Sequence, residues 1–197
     1  MKQGQSRAGP RTRKTSEERR REIMEATLEI LGESGVKGWT AATLSKRVGV
    51  SDAALFKHFS SMDEILESAL ELQAKRLRAR VEGYDASGSG WSAIEGLALD
   101  VLAFMQATGG GPLLVLVTSQ VPPSMRAHAG RAIGAFRARV LAFCEASDAL
   151  SAEAATVADL AVALVQSCTL RWLLAESPEG PPELAKPMLE LLGRTLI

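Results

Sequence analysis

The chain has 197 residues, of which 46 % are hydrophobic and only 5 % aromatic, and its 23 basic and 23 acidic side chains cancel. That length suits one large or two small domains, and the Leu, Ala and Val content supports a sizeable core without alternating β-branched runs, so the fold class is all-α. A zero net charge gives the whole molecule no attraction to a polyanion, and neither a signal-peptide pattern nor a run of roughly 20 apolar residues is read, which argues against a leader and a membrane span.

The distribution of charge is uneven. Residues 1–62 hold 12 Lys and Arg against 7 Asp and Glu, and residues 63–197 hold 11 against 16. A basic N-terminal part joined to an acidic remainder suggests a nucleic-acid module followed by a module with another task. Residues 1–15 read as a disordered basic arm. Its Arg7, Arg11, Arg13 and Lys14 either reach a minor groove or phosphates or form a solvated tail without a role. A first helix is predicted from Ser16, taken as its cap, with Glu17 and Glu18 favouring the helix dipole. Ile23, Ala26, Thr27, Ile30 and Leu31 form its buried face, and Gly32 and Gly35 are expected to end it.

Thr40–Phe59 is the most informative stretch. Thr40 is a good N-cap, Leu44 and Val48 share one face, and Gly49 suits a left-handed helix end. Ser51 caps again, with Asp52 behind it at the positive end of the next dipole. Leu55 and Phe59 point inward, while Ala53, Ala54, Lys57 and His58 point outward. Cap, helix, glycine turn, cap and short helix make a helix-turn-helix, whose second helix lies in the DNA major groove. The alternative is one corner of an ordinary helical bundle. On the groove reading, Lys57 neutralises a phosphate, and the amide ends at Thr40 and Ser51 hold phosphates. Ala53 and Ala54 let the helix approach base edges, one of them touching a thymine methyl. Asp52 accepts from a cytosine amine or merely caps, the second being favoured. His58 reads as packed or phosphate-facing rather than as a base reader.

These residues resemble a known pattern. Ile23–Leu31, Gly38-Trp39-Thr40, Leu44, Arg47-Val48-Gly49-Val50-Ser51, Leu55-Phe56, His58-Phe59, Ser61 and Leu66 are similar to the N-terminal signature of TetR-family transcriptional regulators, over about residues 20–70. There are three departures. Ser45 stands where the family usually has Ala. Phe56 replaces the usual Tyr, removing a hydroxyl that would meet phosphate. Met62 replaces the usual Lys at the start of the fourth helix. The resemblance implies a DNA-binding module, a helical regulatory domain and a homodimer.

Further along, helices are predicted over 62–82, 91–107, 113–119, 124–146, 151–176 and 183–196, about nine in all. Val121-Pro122-Pro123 and the SPEGPP stretch at 177–182 are read as stops. The domain division expected is 1–15 arm, 16–61 helix-turn-helix domain and 62–197 regulatory and dimerisation domain. In the penultimate helix, Ala154, Ala155, Val157, Ala158, Ala161, Val162 and Val165 crowd small residues nearly all round. The last two helices therefore either pair with their two-fold mates, as the resemblance implies, or bury these faces inside one chain.

Phe104, Met105, Leu116, Met125, Phe136, Cys168 and Trp172 are candidates to line an apolar pocket, with Gln166, Thr169 and Arg171 as polar groups able to orient a ligand. Core packing and surface contacts are the alternative for each. Cys144 and Cys168 form no CxxC pair, so no metal site is expected, and two free thiols suit a reducing cytoplasm. No GxSxG, GxxxxGK[ST], HExxH or GxGxxG is present, so neither an enzyme nor a cofactor is expected.

Three readings follow. The first is a repressor released from a palindromic operator by a small apolar or amphipathic ligand. The second is a DNA-binding protein of the same build without such an effector, acting through a protein partner or on chromosome organisation. The third is a helical interaction protein with weakened DNA binding.

Overall fold

A computed structural model describes residues 14–85, 90–110, 123–147, 153–175 and 179–196. The described residues form eight helices: α1 (Ser16–Gly38), α2 (Ala41–Val48), α3 (Asp52–Leu55), α4 (Met62–Glu82), α5 (Trp91–Ala107), α6 (Pro123–Glu145), α7 (Ala154–Ala175) and α8 (Pro181–Leu196). The fold is all-α, as expected. The helix expected over 113–119, the cap expected at Ser151, Leu116 and the arm residues Arg7, Arg11 and Arg13 lie outside the described residues.

Several boundaries differ from expectation for definable reasons. The cap of α1 is Thr15, not Ser16. Thr15 Oγ1 accepts the Glu18 N–H at 3.2 Å, and Glu18 Oε2 accepts the Thr15 N–H at 2.7 Å, a complete capping box. Helix α1 continues past Gly32, breaks at Gly35 and ends at Gly38. Pro123 and Pro181 each open a helix, one and two residues before the expected starts, because a proline in the first turn loses no intrahelical hydrogen bond, while α7 ends at Ala175, just before the stop read at 177–182.

Two main cores result. In the first, Ile23, Ala26 and Ile30 of α1 meet Leu44 and Val48 of α2, Leu55, Phe59 and Ile65 of α4. The second gathers α5, α6, α7 and α8 around residues such as Ile94, Leu97, Val140, Ala158 and Leu189. A small cluster of Leu31, Leu70 and Met125 bridges α1, α4 and α6. Helix α4 thus belongs to all three, and it packs chiefly on α6 and α1.

The small residues of α7 are used inside the chain. Val157, Ala158, Ala161 and Val165 are buried in the larger core, the second of the two alternatives open for them. The outer apolar side chains are instead Leu160 and Leu174 on α7, and Met188 and Leu191 on α8, with Leu174 and Leu191 about two-thirds exposed. The sequence reading that no stretch is apolar enough to span a membrane also needs correction. By length and composition alone, α7 qualifies, with a mean hydropathy of 1.4. Its exposed large apolar side chains are Leu160 and Leu174. Both cysteines are free and buried, and burial pushes both thiols above their ordinary pKa.

Candidate nucleic-acid interface and ligand cavity

The helix pair forms as its local chemistry dictates. Thr40 Oγ1 accepts the Thr43 N–H at 3.2 Å, and the Thr43 hydroxyl accepts the Thr40 N–H at 2.9 Å and donates to the Gly38 carbonyl at 2.8 Å. Thr43 therefore closes a cap that Thr40 was expected to make alone. Gly49 ends α2 at φ 75°, a left-handed conformation that costs a glycine nothing. Its N–H and that of Val50 both donate to the Ser45 carbonyl, at 2.9 and 3.0 Å. Ser51 then caps α3 by accepting the Ala54 N–H at 3.3 Å. Helix α3 proper spans only Asp52–Leu55, shorter than the stretch to Phe59 that the pattern suggests, and continues as turn.

Its outer face carries Asp52, Ala53, Phe56 and Lys57, all exposed, with Ala54 half-buried. Phe56 is 44 % exposed, unusual for a ring of that size. Lys57 makes no ion pair among the described residues, whereas Arg47 is held at 2.6 Å by Glu33 and at 3.2 Å by Glu29, both on α1. Lys14 is likewise engaged, by Glu22 at 2.7 Å. His58 sits differently from its outward neighbours. Its Nδ1 lies 3.2 Å from Ser16 Oγ, its carbonyl accepts from Arg20, and it is half-buried against α1.

Arg20 is the junction of the N-terminal helices. Its guanidinium donates to the His58 carbonyl, lies 3.9 Å over the Phe59 ring and pairs with Glu64 at 3.1 Å. Glu64 also accepts the Ser60 N–H at 2.6 Å and its hydroxyl at 2.8 Å. The Ser60 backbone bond first, then the Ser60 hydroxyl and Arg20, hold the Glu64 carboxyl below its ordinary value. The Thr15 backbone bond does the same for Glu18, and the Arg47 hydrogen bond for Glu33. A depressed folded-state pKa contributes stability that is complete above the unfolded value, about 4.3 for glutamate, and is lost as pH falls through the folded values. The helix-turn-helix region should therefore loosen on acidification below about pH 4. Hydrogen exchange or near-ultraviolet dichroism between pH 6 and pH 3 should show an Arg20→Ala variant losing less stability over that window than the native chain, and equal losses would refute the assignment.

Three cavities lie around α4. One, between α4, α5 and α6, holds about 550 Å³ of space free of protein atoms, part of it open to solvent, and is walled by Leu70, Gln73, Leu77, Phe104, Met105 and Met125 among others. A second lobe of about 430 Å³ adjoins it, sharing Leu77, Met105, Ala132 and Ile133 and reaching Phe136, Gln166 and Thr169. Phe104, Met105, Met125, Phe136, Gln166 and Thr169 thus border these spaces, although the Thr169 hydroxyl already donates to the Val165 carbonyl at 2.8 Å. Cys168 and Trp172 do not border them. Cys168 is buried with Sγ 4.0 Å from Met188 Sδ, and Trp172 packs over the Gly110 backbone. The third space is more polar and runs between α1, α4 and the end of α5, past Glu25, Glu29, Arg76 and Thr108. Gln73 forms part of the wall of both the first and the third. Sequence reasoning overlooked it, although a glutamine at helical spacing among Ala69, Leu77 and Val81 was a visible signal.

Residues 23–69 match the family of bacterial regulatory proteins, tetR family. This segment carries the N-terminal domain of the TetR family. Among curated relatives it is 36 % identical over 66 residues to the HTH-type transcriptional regulator PksA of Bacillus subtilis, covering 34 % of this chain and 32 % of that protein. It is 41 % identical over 64 residues to the nucleoid occlusion factor SlmA of Vibrio cholerae, covering 32 % and 33 %. The match thus spans about a third of the length of these relatives. The whole fold is similar to that of a TetR-family transcriptional regulator from Streptomyces coelicolor, with a TM-score of 0.71 and 16 % identity, over 88 % of this chain and 78 % of that one.

The structure accounts for two of the three places where the matched segment departs from the family pattern. Ser45 is buried, and its hydroxyl donates to Asp52 Oδ1, tying α2 to the first turn of α3. Asp52 is therefore engaged within the motif, in keeping with a structural rather than a base-reading carboxylate. Met62 packs on the N-terminal core, so the methionine contributes burial where a lysine would contribute charge. Nothing within the chain explains Phe56.

Proposed function

We propose that the chain is a sequence-specific DNA-binding transcriptional regulator, a repressor released from a palindromic operator by a small apolar or amphipathic ligand. The observation that carries this is the α3 face: Ala53, Phe56 and unpaired Lys57 stand exposed on the second helix of a doubly capped pair, inside the segment matched to the family. On this reading Lys57 neutralises a phosphate, Ala53 and Ala54 admit the helix to the base edges, and Phe56 offers an apolar contact to sugar or a thymine methyl. Thr40, Ser51 and Asp52 fix the pair's geometry, and His58 sets its height on α1. The domain division is residues 16–61 for DNA and 62–197 for regulation, behind a basic arm at 1–15.

One short helix reads too few base pairs for selectivity, so the active form is a two-fold homodimer that spaces two copies of α3 by about 34 Å. The exposed apolar side chains Leu160, Leu174, Met188 and Leu191 on α7 and α8 support those helices as the pairing surface. The effector would occupy the apolar cavity beside α4, the helix that also contributes Ile65 to the DNA-binding core. It works only if it favours one spacing of the two α3 helices over the other. The protein acts in the cytoplasm, where its DNA lies.

Gel shift against genomic fragments across a salt series tests the DNA reading. Lys57→Ala should reduce the slope of log affinity against log salt by roughly one unit per subunit, without changing which fragments are bound. Identical salt slopes for both proteins would remove Lys57 from the interface, and no shifted fragment at all would leave only a helical interaction protein.

A second reading rests on the similarity to the nucleoid occlusion factor: the same DNA-binding build serving chromosome organisation without a small-molecule effector. Mapping bound sites in cells separates the two, since a repressor concentrates at promoters and a chromosome-organising protein is dispersed.

A further inference from the structure

Gln73 is 6 % exposed, and neither its Nε2 nor its Oε1 has a hydrogen-bond partner. A buried primary amide carries two donors and an acceptor, and leaving all of them unmet is among the costlier defects a core can hold. The residue lies one turn from Leu70 and Leu77 on α4, in the wall between the cavity bounded by α4, α5 and α6 and the polar space beside α1. Among the described residues the rest of that wall is aliphatic and thioether apart from Phe104 and His128, with no Lys, Arg, Asp or Glu. The His128 Nδ1 lies 2.6 Å from the Arg131 guanidinium, which can only donate.

We propose that Gln73 is the anchor for the effector, and that the effector is an uncharged amphiphile carrying an amide on an aliphatic body. An amide presents a donor and an acceptor side by side, the complement of the Gln73 side chain, so both orphaned atoms are met at once. A carboxylate or an ammonium would enter a wall without a counter-charge and lose its hydration there. An alcohol meets one of the two atoms and leaves the other unpaired. The apolar lobe beyond Leu77 and Met105 receives the aliphatic body. This inference rests on the reading that the cavity holds an effector.

The test uses the full chain and four probes of equal length: decanamide, decanol, decanoate and decylamine, with affinity followed by calorimetry. The native protein should bind decanamide about 10-fold or more tightly than any of the other three. Gln73→Leu should bind decanamide and decanol alike. Because it removes an unmet buried amide, it should also melt a few degrees higher than the native chain without ligand, which shows that lost preference is not lost folding. Gln73→Met, unbranched like glutamine, serves if leucine perturbs α4. Preference for decanamide that survives both substitutions, or decanol, decanoate or decylamine bound as tightly as decanamide by the native protein, overturns the role of Gln73 while leaving the effector reading in place. No binding of any probe removes the effector from this cavity, and the inference with it.

Discussion

Leu44→Ala should abolish DNA binding at 25 °C while leaving the C-terminal helices folded. Leu44 is fully buried, in a cluster of only eight residues that α1, α2, α3, the connection at Phe59 and the start of α4 supply between them. A buried Leu→Ala change costs about 2–5 kcal/mol, from lost transfer energy and the cavity left behind. The N-terminal core is small, and small cores have little stability to lose. Helices α2 and α3 have 8 and 4 residues and do not persist without tertiary packing. The larger cluster around Ile94 and Leu97 does not contain Leu44 and should keep its own transition. Urea unfolding followed at Trp39, beside the first core, and at Trp91, inside the second, distinguishes them. The early transition should move to lower urea and the late one stay, and full DNA binding by the variant would show that this core does not hold the motif.

Local signals in the sequence were read well where they act alone. Thr40, Gly49 and Ser51 each sit where their own chemistry places them, and Trp91–Ala107 has the limits its pattern predicts. The misses have a common cause in contacts between distant segments. Gly32 looked like a helix terminator, but it lies inside α1, where its missing side chain admits the Thr108–Gly109 backbone. The alanines and valines of α7 leave a second copy and the chain's own core as alternatives, because a pattern shows how apolar a helix is, not which neighbour covers it. Ser45 and Asp52 are seven residues apart across a turn, and their hydrogen bond exists only once the turn is built. Thr15 is the exception. Thr15-Ser16-Glu17-Glu18 is a readable capping box, displaced by one residue from the serine taken as the cap. The cavity residues were half legible: Phe104, Met105 and Met125 from composition, Gln73 only as a polar residue at helical spacing in an apolar stripe, a signal that does not tell a satisfied amide from an orphaned one.

The contact at Gly109 gives the remaining prediction. Gly109 ends α5 at φ 71°, and a Cβ there would lie 2.5 Å from the Gly32 Cα and 3.1 Å from its carbonyl carbon. Both neighbours are backbone, so neither can rotate away. The same end of α5 carries Phe104 and Met105, which border the apolar cavity. Helix α1, through Glu25 and Arg76, is paired to α4 as well. A displacement of the α5 end by anything in the cavity therefore presses on α1, and α1 carries the helix pair. Gly109→Ala should impose that displacement permanently. Gly35→Ala supplies the control, since it too adds a side chain at positive φ, 62° with ψ −169°, but with nothing within 4 Å of the added carbon. Backbone strain costs each variant about 1–3 kcal/mol. Only Gly109→Ala adds overpacking, about 1–3 kcal/mol further. Gly109→Ala should thus be the less stable of the two in urea. It should also bind DNA more weakly under conditions where both are folded, because its α1 no longer seats on the rest of the chain as before. Equal stability and equal DNA affinity for the two variants would mean that the α5 end and α1 merely touch, and that force from the cavity reaches the helix pair through α4 alone.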